Sequence, residues 1–521
     1  MNTVEGLGAI SIDVAGAALR PEDAQCLAGV SVRQVLSLPS QCELVFHGTG
    51  DEFGDRASLL AGLTMKVGYD GSTVFEGEIT AIEHAYTPDG AREIRLRAYD
   101  PLHRLRKRQP VEIRNDVDAG ELCRQFASDI GLDADIAESG PRWPKLAQWY
   151  QTDLDLLAET ARRAGLFFTA WDGAVHLFTL EGFGDAVGLR LGDDLLEATF
   201  EVNADRAWSE VAASGWDPTT GARFTATAGS PRSGREVDAR VAMSDVGGED
   251  RRTLVNALVP AGDHVDAEAQ GALDCAAANA VTVHGVASGH PELHPGGRVD
   301  LSGVHAKAAG VYVVTEVVHT LDPERGFLSE FSTEVPFRRR PAPVALVAPG
   351  VVDRVDDPDS QGRVTVKLPG YSDIETGWMR VMLPGAGATK GFVALPDEGD
   401  EVLVLMPEGD PAAGIVLGGL FGTADVPDTG IVDRRVRRQS WRSPKGHYVE
   451  IDDDKSRLTM TNANGSTICL ADDELSIKNF NDSEISFRKD KLSIVAMTDV
   501  DITASGKTIT ITAGAVDFRN G

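Results

Sequence analysis

Aromatic residues are scarce in this sequence, and cysteine is scarcer. Trp, Tyr and Phe make up 6% of the 521 residues, and the cysteines number five: Cys26, Cys42, Cys123, Cys275 and Cys469. The count is odd, the spacings are long and no CxxC occurs, which argues against a disulfide scaffold and a zinc ribbon. Five buried or half-buried thiols in a chain folded under reducing conditions are expected instead. Positive charge is also in deficit. Lys and Arg total 50 against 80 Asp and Glu, for a formal net charge of -30. A polyanion would be repelled along most of such a surface, so no nucleic-acid partner is expected. The first residues lack a basic region followed by an apolar one, so no signal peptide is expected. No apolar run approaches the roughly 20 residues of a membrane span. These absences lead to the expectation of a soluble chain assembled in the cytoplasm.

What is present is glycine, with 55 residues, alongside small and β-branched side chains, which favour strands. The length is too great for one core and implies three or more domains. In the first hundred residues apolar and polar positions alternate between Asp-Gly turns at Asp70-Gly71 and Asp89-Gly90, a hairpin signature. Two helices follow. Asp118 caps the first, with Glu121 placed to reach back as in a capping box, and Leu122, Phe126 and Ile130 form its apolar face. Thr152 caps the second, Leu154, Leu157, Ala158 and Ala161 share one side, and Gly165 supplies a left-handed stop. Strand-like sequence then resumes around a helical stretch, DAEAQGALDCAAANAV. Pro and Arg interrupt the pattern at 337–350. A block of short strands with Gly, Pro and Asp turns follows to about 422, the texture of a small Greek-key barrel.

From Val449 on, an apolar–x–apolar triplet recurs: Val449/Ile451, Leu458/Met460, Ile468/Leu470, Leu475/Ile477, Ile485/Phe487, Leu492/Ile494, Val500/Ile502, Ile509/Ile511 and Val516/Phe518. Successive triplets begin 9, 10, 7, 10, 7, 8, 9 and 7 residues apart, and every middle residue except Cys469 is polar. Alternate strand residues face opposite ways, so each triplet puts two apolar side chains on one face and one polar side chain on the other. Such regularity marks an array. A lone ribbon of these strands would leave its apolar face wet and its edges unpaired. The pattern therefore predicts an obligate oligomer whose copies wrap about a common axis. The triplet side chains from Leu458 and Met460 onward are its candidate core.

Several stretches imitate chemical motifs. SGKT at 505–508 ends like a phosphate loop, but Asp501 stands where the first Gly is required, and TITIT follows where a helix is needed. DDPDSQG at 356–362 begins like a calcium loop, yet Leu368 occupies the place of the bidentate Glu. IDDDKS at 451–456 places three carboxylates on adjacent residues, which diverge along a strand. All three stretches are expected to be turns. His284, His290 and His294 lie close in sequence, but Pro291 and the glycines bar a helix that would align them as metal ligands. No GxSxG, HExxH or Cys–His signature occurs. No catalytic residue, cofactor or metal is therefore expected. The basic runs RLRKR (104–108), RRR (338–340) and RRVRR (434–438) are expected to be solvated or to pair with acidic surfaces across domain or subunit contacts.

The block from GVVDRVDDPDSQGRVTVKLPG through WMRVMLPGAGATKGFVALPDEGDEVLVLMPEGDPAAGIVLGGLFG resembles the small barrel of the phage baseplate protein V and VgrG spike family. SPKGHYVEIDDD resembles that family's lead-in to a β-helical needle, and VFEGEITAIEH, RAYDPLHRLRKR and QTDLDLLAETARRAGLFF resemble its hub. The resemblance implies a mainly β fold with small α+β inserts. Its parts would be a first hub barrel (1–105), a helical insert (106–180), a second hub barrel with a helical insert (181–340), an OB-fold-like barrel (345–424), a linker (425–442) and a trimeric β-helical needle (443–521). It implies a homotrimeric, non-enzymatic spike within an injection particle. The partners implied are an inner tube above the hub, baseplate components, a separate small PAAR-like tip protein, and a target membrane on firing. Some relatives carry a lysozyme domain after the small barrel, for which too few residues lie between 422 and the needle. Others end in an effector or a His-x-His iron site, and neither is expected here. The alternatives are a trimeric tailspike depolymerase, which would need clustered acids and aromatic sugar platforms, and a receptor-binding fibre. Past its lead-in, the needle region has only Phe480, Phe487 and Phe518 as aromatics.

Overall fold

Asp70 and Gly71 both take positive φ, 47° and 84°, the conformation a two-residue hairpin turn of matching twist requires. They join strands Thr64–Tyr69 and Ser72–Tyr86. The structure, a computed structural model, describes residues 10–519 apart from 49–50, 58, 87, 89–91, 323–324, 337–343 and 423–425. The Asp89-Gly90 turn and the arginine run at 338–340 lie outside the described residues. Two units are distinguished, Met1–Leu420 and Phe421–Gly521.

The hairpin belongs to an 11-stranded antiparallel sheet. Its spatial order is Leu195–Val202, Val281–Ser288, Gly326–Ser332, Glu316–Asp322, Leu27–Val35, Gln41–His47, Arg92–Tyr99, Ser72–Tyr86, Thr64–Tyr69, Ile10–Val14 and Ala17–Ala18. The resemblance implies two hub barrels. The hydrogen bonds run one sheet through both regions, because Glu316 to Leu321 pairs with Val35 to Val30. Each half keeps a core of its own, one around Leu44, Phe46, Met65 and Leu96, the other around Leu301, Tyr312 and Phe331. Leu321 and Phe327 of the later half also pack into the first core, which ties the halves together.

Both helices of the insert form, at Ala119–Ile130 and Asp153–Arg163. Thr152 accepts from the Asp155 amide at 3.2 Å and its own amide donates to the Asp155 carboxylate at 3.1 Å, a reciprocal cap. At the other helix the reciprocity fails. Asp118 accepts from the Glu121 amide at 2.9 Å, but the Glu121 carboxylate accepts from Arg142 at 2.7 Å instead of reaching back. A cation within reach outcompetes a neutral backbone donor. The predicted third helix spans Gly262–Ala280. It approaches the end of the second so closely that a Cβ on Gly165 would lie 2.8 Å from the Gly271 Cα, and one on Gly271 would lie 2.6 Å from the Gly165 Cα. Alanine at either position is expected to cost about 2 kcal/mol through backbone displacement. At Gly271 this loss outweighs alanine's better helix propensity. Denaturant melts check this, and an unchanged midpoint for Gly271→Ala would contradict the close approach.

The small barrel has six strands, Leu346–Arg354, Thr365–Leu368, Ile374–Glu375, Arg380–Val381, Glu401–Met406 and Ile415–Gly419, closed over Val352, Val364, Val366, Met379, Val404 and Val416. Its DPDSQG segment is a turn knotted around Arg363. That guanidinium donates to Asp357 at 2.6 Å and to Asp359 at 2.5 Å, while the Asp357 carboxylate also accepts from the Gln361 amide at 2.8 Å.

The second unit contains a seven-stranded antiparallel ladder taken in sequence order: Arg438–Arg442, Tyr448–Asp452, Arg457–Thr461, Thr467–Leu470, Glu474–Lys478, Glu484–Arg488 and Lys491–Val495. Six of the triplets lie on these strands. The pattern predicts strands at the last three as well, Val500/Ile502, Ile509/Ile511 and Val516/Phe518, and they form none. The reason lies in the turns. The ladder repeats every 17 residues, as Leu458, Leu475, Leu492 and Ile509 show. In that register the turn residues Asn462 and Asn479 are replaced by Ala496, and Ser466 and Ser483 by Val500. Val500 thus stands at a turn position, not a ladder position. Val516 and Phe518 fall outside the register altogether.

Candidate functional site

The ladder's register turns the triplets into two continuous rows. Ile451, Leu458, Leu470, Leu475, Phe487 and Leu492 oppose one another directly, strand to strand. Val449, Met460, Ile468, Ile477, Ile485 and Ile494 form the second row. Between them, on the other face, run Glu450, Thr459, Cys469, Ser476, Ser486 and Ser493. Direct cross-strand contact of β-branched and aromatic side chains is what stabilises such a sheet locally.

Burial is inverted relative to a soluble sheet. Met460 is 44% exposed, Ile477 49% and Ile494 63%, whereas Thr459 and Ser486 of the polar row are 7% and 4% exposed. Beyond the ladder, Val500, Ile502, Ile509, Ile511, Val516 and Phe518 are exposed as well. A contiguous apolar surface of this extent marks an interaction site. Covering each half-exposed side chain gains about 1 kcal/mol. Among the described residues of this unit nothing covers these rows, and this surface is the candidate site.

The imitated motifs resolve into scaffolding. SGKT makes a turn in which the Lys507 amide donates to the Ala504 carbonyl at 3.1 Å. In the 17-residue register it corresponds to the tight turns ADDE (471–474) and RKDK (488–491). In IDDDKS, Asp452 is buried and accepts from the Lys455 amide at 3.1 Å. The three histidines take separate partners: His284 pairs with Glu330 at 2.9 Å, the His290 amide donates to Ser329, and His294 is buried and stacked on Trp171. Among the described residues no group of three His, Cys, Asp or Glu is placed to hold a metal. All five cysteines are free and buried or half-buried. Among the described residues no helix is long and apolar enough to cross a membrane.

Of the two basic runs within the described residues, four arginines pair with carboxylates of the same chain. Arg438 meets Asp428 at 2.9 Å, Arg437 meets Asp454 at 3.4 Å, Arg108 meets Asp129 at 2.7 Å, and Arg104 donates to Glu78. Arg104, with His103 as a second donor, holds the Glu78 carboxyl down at about 2 against the opposing effect of burial. A lowered carboxyl pKa stabilises the fold above the unfolded value and loses that contribution as pH falls through the folded value. Glu78→Gln should therefore be less stable than the wild type at pH 7, with the difference shrinking from pH 4.5 towards pH 2. Thermal melts across that range test this; a difference constant with pH would contradict it.

Two family models match the chain. One, described as Alg8 N-terminal domain, covers residues 56–323, more than half of the sequence, and the chain belongs to that family. The other, the type VI secretion system/phage-baseplate injector OB domain, covers residues 348–421, so the small barrel is a domain of that kind. The chain is similar to the type VI secretion system spike protein VgrG2a of Pseudomonas aeruginosa, at 27% identity over 110 residues. That match takes in 19% of this chain and 13% of the relative's length. Among solved structures it is similar to a chain of the lidded Francisella PdpA-VgrG complex, with a TM-score of 0.53, 9% identity, and coverage of 93% of this chain and 79% of that one. The half-lidded form of that complex gives 0.51, 10%, 93% and 87%. At these identities the structural likeness is one of fold. The chain is VgrG-like in fold, and its barrel is of the baseplate type.

Proposed function

We propose that this chain is the hub and central spike of a contractile injection machine, working as a homotrimer and doing no chemistry. The observation that carries the proposal is the pair of apolar rows left open on the ladder. Three copies wrapped about one axis would bury both rows of each and turn three up-and-down ladders into one β-helical needle. The polar row would then face outward. Such a rod resists bending, because every strand is hydrogen-bonded and its apolar stripe has no alternative cover. Contraction of a surrounding sheath would supply the work of driving it through a membrane. The domain order supports the same reading: hub sheet first, injector-type OB barrel next, ladder last. In this scheme the hub adapts a hexameric inner tube to three-fold symmetry, baseplate components surround it, and a small PAAR-like protein tips the needle. Assembly takes place in the cytoplasm before the particle acts.

The rival reading is a glycan-cleaving tailspike. On the polar face Glu450 pairs with Arg457 at 3.7 Å and Glu474 with Arg488 at 2.9 Å, each as an ion pair, whereas glycoside hydrolysis takes one carboxyl kept protonated beside a second at a set separation. Removing residues 440–521 is expected to abolish or weaken trimerisation, read by light scattering, while leaving the sheet and barrel folded by circular dichroism. A truncated protein that remains a full-strength trimer would refute the role given to the ladder. Glycan cleavage by the full chain would favour the tailspike, and particle images with the chain away from the tube end would favour a receptor-binding fibre.

A further inference from the structure

One edge of the ladder carries a device that repeats with it. The Asn462 carboxamide oxygen accepts from the Asn464 amide at 3.1 Å and the Ser466 amide at 2.9 Å, closing its turn. Asn479 does the same one repeat later, accepting from Asn481 at 3.2 Å and Ser483 at 2.9 Å. Each turn's serine then reaches the next level. The Ser466 hydroxyl accepts from the Phe480 amide at 3.1 Å, and that of Ser483 accepts from the Met497 amide at 3.0 Å. Asparagine closes a turn through its own side chain because the carboxamide imitates a backbone carbonyl. Serine links levels because its hydroxyl accepts while it is held in place. The two together set both the shape of a turn and its height above the last.

At the next level the brace is missing. Ala496 and Val500 stand where Asn and Ser would stand, yet Ile502, Ile509 and Ile511 continue the apolar rows in register. Hydrogen-bonded strands stop at Val495, immediately before the first missing brace residue. Pairing of a flat strand without a turn to fix it is weakly specified, since a one-residue slip sends its apolar side chains to the wrong face.

We infer that the Asn–Ser braces are the register lock of the tail. Residues 448–495 form a ladder that one chain sets for itself, whereas 496–519 are ordered by strands of other copies of this chain. The tail thus has a self-registered base and an assembly-dependent end, and the trimer closes from the base outward. The inference rests on the trimeric spike reading, and its test separates the two. Hydrogen exchange of the full chain, read by mass spectrometry on peptides from 448–495 and 496–519, is combined with native mass. Wild type should exchange faster in 496–519 than in 448–495. Installing the brace with A496N/V500S should slow exchange over 496–511 by about tenfold, the worth of one or two hydrogen bonds. Asn479→Ala should speed exchange over 475–495 by a similar factor. Equal protection of the two segments in wild type, or no slowing in A496N/V500S, overturns the lock even if the protein is a trimer. A monomeric mass for wild type overturns the spike reading, while slowing in A496N/V500S would still uphold the lock within a single chain.

Discussion

Glutamate at both Ile477 and Ile485 is expected to convert the full chain from trimer to monomer. The two residues oppose each other directly across neighbouring strands, so the substitution writes two charges into the middle of one apolar row. Both positions are open to solvent in a single copy, so the fold of that copy should survive. In the assembled needle each copy would bring two carboxylates to the axis. Moving an unpaired carboxylate into an apolar core costs several kcal/mol, beside the loss of about 1 kcal/mol for each isoleucine no longer covered. The opposite face supplies the control. Ser493 lies on the polar row, so Ser493→Glu should leave the trimer intact. Size-exclusion chromatography with light scattering reads both variants. An I477E/I485E protein that elutes as wild type would show that the rows are not the contact.

The second large effect is expected in the barrel. Arg363 and Asp357 are both nearly inaccessible to solvent, their side chains 6% and 3% exposed. The guanidinium holds the Asp357 carboxyl far below the usual carboxylate range, and the loop from 357 to 363 is wrapped around that pair. Arg363→Ala removes the cation and leaves the carboxylate with backbone donors alone, at an expected cost of about 2 kcal/mol. Arg363→Lys should recover little, because a point charge does not reproduce a forked donor. Asp357→Asn combined with Arg363→Ala should cost less than the two separately, since neither partner is then left unpaired. Urea unfolding of the four proteins closes the cycle. Strict additivity would mean that the loop is held by something other than this pair.

Much of this architecture is legible in residue order, because the signals are local. Asp70-Gly71, the Thr152 cap and the alternation along Gln41–His47 depend on neighbours a few residues away. The apolar rows are legible for the same reason, since a period of two survives whatever the strand pairs with. What escapes is non-local or competitive. Nothing near Leu27–Val35 announces that it will pair with Glu316–Asp322 and carry one sheet through both hub regions. Glu121 has the right spacing for a capping box and is drawn off by Arg142, far away in sequence. The brace, too, is legible in residue order. Triplet spacings of 10 and 7 alternate, so the true unit is a pair of strands with one long turn and one short. Lining up the long turns reveals both the Asn–Ser pattern and its loss at Ala496 and Val500. Single triplets do not show that loss, nor the reason that pairing stops at Val495.

The central claim is that one copy cannot hide its own tail. Its most direct test is the native mass of the full chain at low micromolar concentration. One copy is 55.5 kDa, and the account predicts a particle three times that mass which persists on dilution. A stable 55.5 kDa species with the ladder folded and its rows shielded within the same chain would contradict it.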